Sequence, residues 1–150
     1  MTEALTKQYQ RLVNDTIPIS KAISWKIRSL NQFEIQADVA LKPNINIHGT
    51  VFAGSIYASA MATGWTLCHC WQEQNGYQAE LVAAEANIKY LAPVTNDFIC
   101  QATIDSAGDK YHKLVARLKT PKSCAFPLKV EIVCKRQVCA ILTINFVFKC

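Results

Sequence analysis

Asn44 to Trp71 reads NINIHGTVFAGSIYASAMATGWTLCHCW, and after His48 this stretch holds no Asp, Glu, Lys or Arg. From Gly49 onward it is long enough to raise the question of a membrane span, for which about 20 apolar residues are needed. Its composition answers that question. Only Val51, Phe52, Ile56, Met61 and Leu67 are strongly apolar, while Ser55, Ser59, Thr63, Thr66 and His69 would burden a lipid-facing helix. Nine of the twelve side chains from Ala53 to Gly64 are Ala, Gly, Ser or Thr, so the segment is slim as well as neutral. Tyr57, Met61, Gly64, Cys68 and Trp71 add a stripe at helical spacing. A helix uncharged on every side is an interior helix, and a slim one lets other backbone come close.

What lies on either side supplies the wall around it. Leu5, Tyr9, Leu12 and Val13 predict a short amphipathic helix over residues 4–15, stopped by Asp15, Thr16 and Pro18. The period then changes to two. Ile23, Trp25 and Ile27, followed by Phe33, Ile35, Ala37, Val39 and Leu41, mark two strands with a turn near Asn31 and Gln32. Beyond the neutral stretch, residues 80–92, 97–105, 112–119, 127–136 and 138–149 all read as strands joined by short polar connections, which implies antiparallel meanders. The last run is apolar at both parities and is expected to be covered on two sides. This gives an α+β fold in one domain, residues 1–150, with a long antiparallel sheet rolled around a central helix. One layer of sheet cannot cover such a helix completely, so a homodimer is expected, with a tetramer left open.

Composition narrows the function classes. The formal charge of +5 arises from 16 basic and 11 acidic residues without a basic run, which argues against a nucleic-acid partner and suits a phosphate-bearing ligand or an acidic protein. Seven Cys, an odd number, and an N-terminus without a secretion-type apolar core imply reduced thiols and a cytoplasmic location. Cys68 and Cys70 flank His69, but residues two apart on a helix diverge too far to share one ion, so no metal is expected.

The succession NIHGTVFAGSIYASA, followed about 35 residues later by AAEANIKYLAPV and then by meandering strands, resembles the hotdog-fold thioesterases. It is most similar to the YiiD carboxy-terminal thioesterase domain family. The resemblance covers the chain from about Ile23 onward and implies hydrolysis of an acyl-CoA or acyl-carrier-protein thioester in fatty acid metabolism, without a cofactor. It implies that Asn46 and His48 orient the thioester or a water. It also implies a carboxylate nine residues after the His, and there this chain departs, because that position is Tyr57.

A thioester carbonyl needs hydrogen-bond donors, and the amides of Gly49, Thr50 and Val51 are expected at the start of the central helix, where the dipole end adds to them. Thr50 capping the helix and Gly49 turning the chain is the structural alternative. With the helix carboxylate missing, three substitutes are expected. Tyr57 would donate a hydrogen bond, Ser55 and Ser59 would hold a water, and Glu85, on a strand face shared with Asn87, would reach the cleft between subunits and act as base there. Glu85 paired with Lys89, or with a basic residue on a neighbouring strand, is the simpler fate. Small side chains such as Gly54 suggest a narrow acyl tunnel beside the sheet. Lys89, Lys110, Lys113 and Arg117 are candidates for coenzyme A phosphates. A non-hydrolytic acyl-binding module and a dehydratase or hydratase are the alternatives.

Overall fold

The computed structural model describes residues 2–150. Helix α1 (Thr2–Thr16) and the single turn α2 (Ile19–Ala22) lead into strands β1 (Trp25–Leu30) and β2 (Glu34–Val39). A 3-10 turn (Lys42–Asn44) precedes the central helix α3 (Ala53–Gln74). Strands β3 (Glu80–Tyr90) and β4 (Phe98–Thr103) follow, then helix α4 (Asp109–Lys119) and the long hairpin β5 (Cys124–Cys134) and β6 (Gln137–Lys149). The six strands form one antiparallel sheet in the order β1-β2-β4-β5-β6-β3, wrapped around α3 in the hotdog arrangement.

Alternation along the strands decides which side of the sheet meets the helix. Phe126, Leu128, Val130 and Ile132 of β5 and Leu142, Ile144, Phe146 and Phe148 of β6 are buried on the inner face. The residues between them, including Lys129 and Thr143, lie on the outer face and are exposed or half-buried. Gly64 marks the closest approach of α3 to this wall: a Cβ there would stand 2.8 Å from Ile144 Cδ1 and 3.3 Å from Val130 Cγ2. Hydroxyls on α3 are consumed internally, since Ser59, Thr63 and Thr66 donate to the carbonyls of Ser55, Ser59 and Ala62 at 2.6, 2.8 and 2.7 Å. Such back-bonding lets polar side chains sit in an apolar interior. Thr63 Oγ1 also accepts from the Trp25 indole N–H at 3.0 Å, fixing β1 to the middle of the helix.

Residues 112–119, expected as a strand, are helical. Leu114, Ala116 and Leu118 do alternate, but Tyr111, Leu114, Val115 and Leu118 also stand at the i, i+3, i+4, i+7 positions of a helix face. Asp109 in the first turn and Arg117 and Lys119 in the last complement the helix dipole. Leu114 and Leu118 are buried, and Tyr111 OH accepts from the Trp71 indole at 3.2 Å. Helix α4 therefore plugs the roll beyond the C-terminal end of α3.

The small side chains of α3 bring sheet and helix into direct contact at Gly64. Gly64→Val should overpack this contact and lower stability by about 2 kcal/mol, read as a lower urea midpoint with unchanged slope.

Candidate functional site

The start of α3 is built by the turn before it. Gly49 takes a φ of 76°, a left-handed value that suits glycine, and closes a turn braced by Asn46. The Asn46 side-chain oxygen accepts from the amides of His48 at 2.9 Å and Thr50 at 3.2 Å, while its Nδ2 donates to Thr50 Oγ1 at 3.0 Å. Asn46 is thus the post that holds the His48 turn.

This bracing corrects the expected oxyanion donors. The amide of Gly49 donates to Asn46 O (3.1 Å), that of Thr50 to the Asn46 side chain, and that of Val51 to Val94 O (2.9 Å). Phe52 N donates to Asn44 O at 2.7 Å. Each is spent before the helix begins. Thr50 does not cap α3 either; the N-cap is Phe52, which supplies no side-chain hydrogen bond. Among the described residues the amides of Ala53 and Gly54 donate to no such partner, so the free donors at the dipole end lie three to four residues later than the sequence suggested. The Phe52 ring lies over Gly54, where a Cβ would come within 3.1 Å of ring carbons Cδ2 and Cζ.

Tyr90, at the end of β3, was not singled out by the sequence. Its register partner is Ala140 on the inner face, and its hydroxyl donates to Ala53 O at 2.9 Å. Burial and the neighbouring Tyr57 phenol push its pKa up. The β-pattern of residues 80–92 was legible, but that its last tyrosine meets the first turn of α3 depends on the matched lengths of β3 and α3, which no local pattern displays.

The bulge between Ala83 and Glu85 settles the remaining strand candidates. Past it, Ala86, Ile88 and Tyr90 pair with inner-face residues, whereas Glu85, Asn87 and Lys89 pair with Asn145, Thr143 and Ile141 on the outer face. Glu85 and Asn87 do share a face, but it is the one turned away from α3. Within one chain Glu85 therefore faces away from the helix start, and Asn87 and Lys89 do not line it. Among the described residues Glu85 makes no ion pair with Lys89. On α3, Ser59 is fully buried with its hydroxyl bonded to Ser55 O, so it holds no water, while Ser55 and Tyr57 are half-buried near the helix start. Lys110, Lys113 and Arg117 sit on α4 at the opposite end of the roll.

The thiols lie far from this chemistry. Cys68 is about 22 Å along the axis from Ala53. Burial pushes its thiol up, and pushes that of Cys70 up to about 11. His69 stacks on Trp65 with ring centroids 4.6 Å apart.

Around His48 the surface is apolar. Ile45, Ile47, Phe52, Tyr90 and Leu91 are all exposed, Ile47 by 94%, and they gather at the helix start beside the free edge of β3. His48 itself is exposed in the turn.

A hotdog-fold protein with a His-Gly turn before its central helix is the class that this fold and site define. The chain belongs to the family described as "Putative thioesterase (yiiD_Cterm)", whose sequence signature matches residues 6–150. It is similar to the solved structure of a "putative thioesterase" from Shewanella oneidensis, with 28% identity, 99% of each chain covered and a TM-score of 0.87. The fold is shared with a Chlorobaculum tepidum protein of unknown function (19% identity, 99% of this chain and 97% of that one, TM-score 0.88). It is shared again with a thioesterase of Haemophilus influenzae (14% identity, 95% and 88%, TM-score 0.72).

Asn46→Ala removes the acceptor for two amides and should cost about 2 kcal/mol while raising amide exchange across residues 46–51. Asn46→Asp keeps that acceptor and should recover most of the loss.

Proposed function

We propose that the protein hydrolyses acyl thioesters of coenzyme A or of an acyl carrier protein, and that it does so as a homodimer. The observation that carries this reading is the pair of unspent amides, Ala53 and Gly54, at the positive end of a 22-residue helix whose one acidic residue, Glu73, lies at the far end, set behind a braced His48 turn. Such an end stabilises the negative charge that develops on a carbonyl oxygen under attack.

The reaction runs as follows. The thioester carbonyl oxygen accepts from the Ala53 and Gly54 amides. His48 takes a proton from a water whose oxygen bonds to the carbonyl carbon, and the electron pair of the C=O moves onto oxygen. Collapse of this intermediate breaks the C–S bond, and the proton on His48 passes to the departing sulfur. A carboxylic acid and a free thiol leave. Tyr57 supplies a further hydroxyl at the position where a carboxylate was expected, and Tyr90 holds the first carbonyl of the helix in place.

The dimer reading rests on the two sheet edges. Edge strand β1 is shielded: the Gln10 side chain accepts from Ile27 N at 2.6 Å and donates to Trp25 O at 3.3 Å. Edge strand β3 is eleven residues long, and its residues are exposed or half-buried throughout. A long bare edge is a template for a second strand, and the apolar cluster beside it adds area for a partner and for an acyl chain.

Purified protein should release free thiol from a panel of acyl-CoA esters, and His48→Ala should lower kcat by about a hundredfold or more with little change in melting temperature. Tight acyl-CoA binding without thiol release would favour the binding-module alternative; hydration of a crotonyl thioester would favour the hydratase.

Sedimentation equilibrium should give twice the chain mass at micromolar concentration. A fully active monomer would overturn the placement of the acyl chain between two copies.

A further inference from the structure

We propose that Lys135 and Arg136, at the tip of the β5–β6 hairpin, bind the phosphates of a coenzyme A thioester; this rests on the hydrolase reading above. Cys134 pairs with Gln137, so the hairpin turns on these two residues alone. Both take left-handed backbone values, φ 51° at Lys135 and 63° at Arg136. A two-residue turn of this type demands positive φ twice, which Asn-Gly adopts at little cost and a Lys-Arg pair does not. Two cations thus occupy a turn whose conformation disfavours them, and strain retained at an exposed tip points to a use for the side chains.

The fold sets that tip at the same end of the molecule as the start of α3. Tyr90 pairs with Ala140, four residues past the turn, and its hydroxyl reaches Ala53 O. Cys139 O accepts from the amides of Leu91 and Ala92 at 2.8 and 3.1 Å, and Val94 O accepts from Val51 N. The segment from Leu91 to Val94 therefore ties the hairpin directly to the turn that precedes the helix.

A groove of about 510 Å³ runs from this tip across the outer face to β1. Lys135 and Arg136 stand at one side and Lys26 and Arg28 at the other, against the carboxylates of Asp38 and Asp97. Asp38 is paired with Arg28 at 2.6 Å, and Asp97 accepts from Leu41 N at 2.9 Å. Among the described residues Lys26, Lys135 and Arg136 make no ion pair. The groove thus offers uncommitted positive charge on both walls, Lys135 and Arg136 on one and Lys26 on the other. A ligand with a thioester at one end and several phosphates at the other matches this arrangement, and guanidinium and ammonium groups bind phosphate through charge-assisted hydrogen bonds.

The double substitution Lys135→Asn with Arg136→Gly separates strain from function. It should raise the melting temperature by a few degrees, because the new residues suit the turn. In calorimetric titration it should weaken coenzyme A binding by about tenfold or more, while pantetheine, which carries no phosphate, binds both proteins alike. Wild-type affinity for coenzyme A should also fall with added salt. Unchanged coenzyme A affinity in the variant, or no coenzyme A binding by the wild type at millimolar concentration, would overturn the proposal. So would a loss confined to thioesters on an acidic carrier protein. A normal affinity difference in a protein that releases no thiol would leave the phosphate site standing and remove the hydrolase reading.

Discussion

The contact on which the rest of the structure depends is the one between a helix uncharged until its last turn and the concave face of a single sheet. At Gly64 the separation is small enough that even a methyl group would crowd Ile144. Close-packed interiors allow such an approach only where side chains are absent or small. The Ala, Gly, Ser and Thr positions of α3 are therefore the means by which six strands bend around 22 residues of helix. The hydroxyls do not disturb this, since those facing inward return their hydrogen bonds to carbonyls of the same helix.

Much of this was legible in the residues because burial leaves a compositional trace. The neutral stretch, the period-two strands on both sides and the short connections led to the α+β roll, and the helix and sheet stand where these patterns put them. Where the reading failed, two periodicities coincided. Residues 112–119 alternate well enough to pass for a strand, and only the out-of-step Val115 and the Tyr111 spacing reveal the helix. The site was less legible for a related reason. Which face Glu85 occupies turns on one extra residue, Ala84, in the β3–β6 ladder, and a bulge is a property of the pair of strands. Tyr90 escaped notice because its role is created by tertiary registration between β3 and α3.

The two edges of the sheet show how the same chain closes one surface and leaves another open. Gln10 satisfies a donor and an acceptor on β1 with one side-chain amide, so α1 does for that edge what another strand would do. Nothing comparable guards β3 among the described residues. Its exposed length runs beside α3 from the helix end, where Gln72 Nε2 donates to Ala79 O, to the helix start, where Tyr90 reaches Ala53. An open edge and the helix start thus share one side of the molecule, and a copy docked on that edge would enclose the site.

The missing carboxylate on α3 bears on how such a site would work. A helix N-terminus carries a partial positive charge of roughly half a unit, and an acidic side chain in its first turns would offset that charge. Here the first acidic residue of α3 is Glu73, at the far end, where it accepts from Tyr9 OH. With Tyr57 where a carboxylate was expected, the field at Ala53 and Gly54 is left undiminished for a developing oxyanion. The same substitution removes the most direct means of activating water, and this shifts that task to a group outside the helix. His48 stands exposed in the turn that Asn46 braces through its backbone amide, and under the proposed mechanism it is the group to which that task passes, with the helix end supplying electrostatic stabilisation.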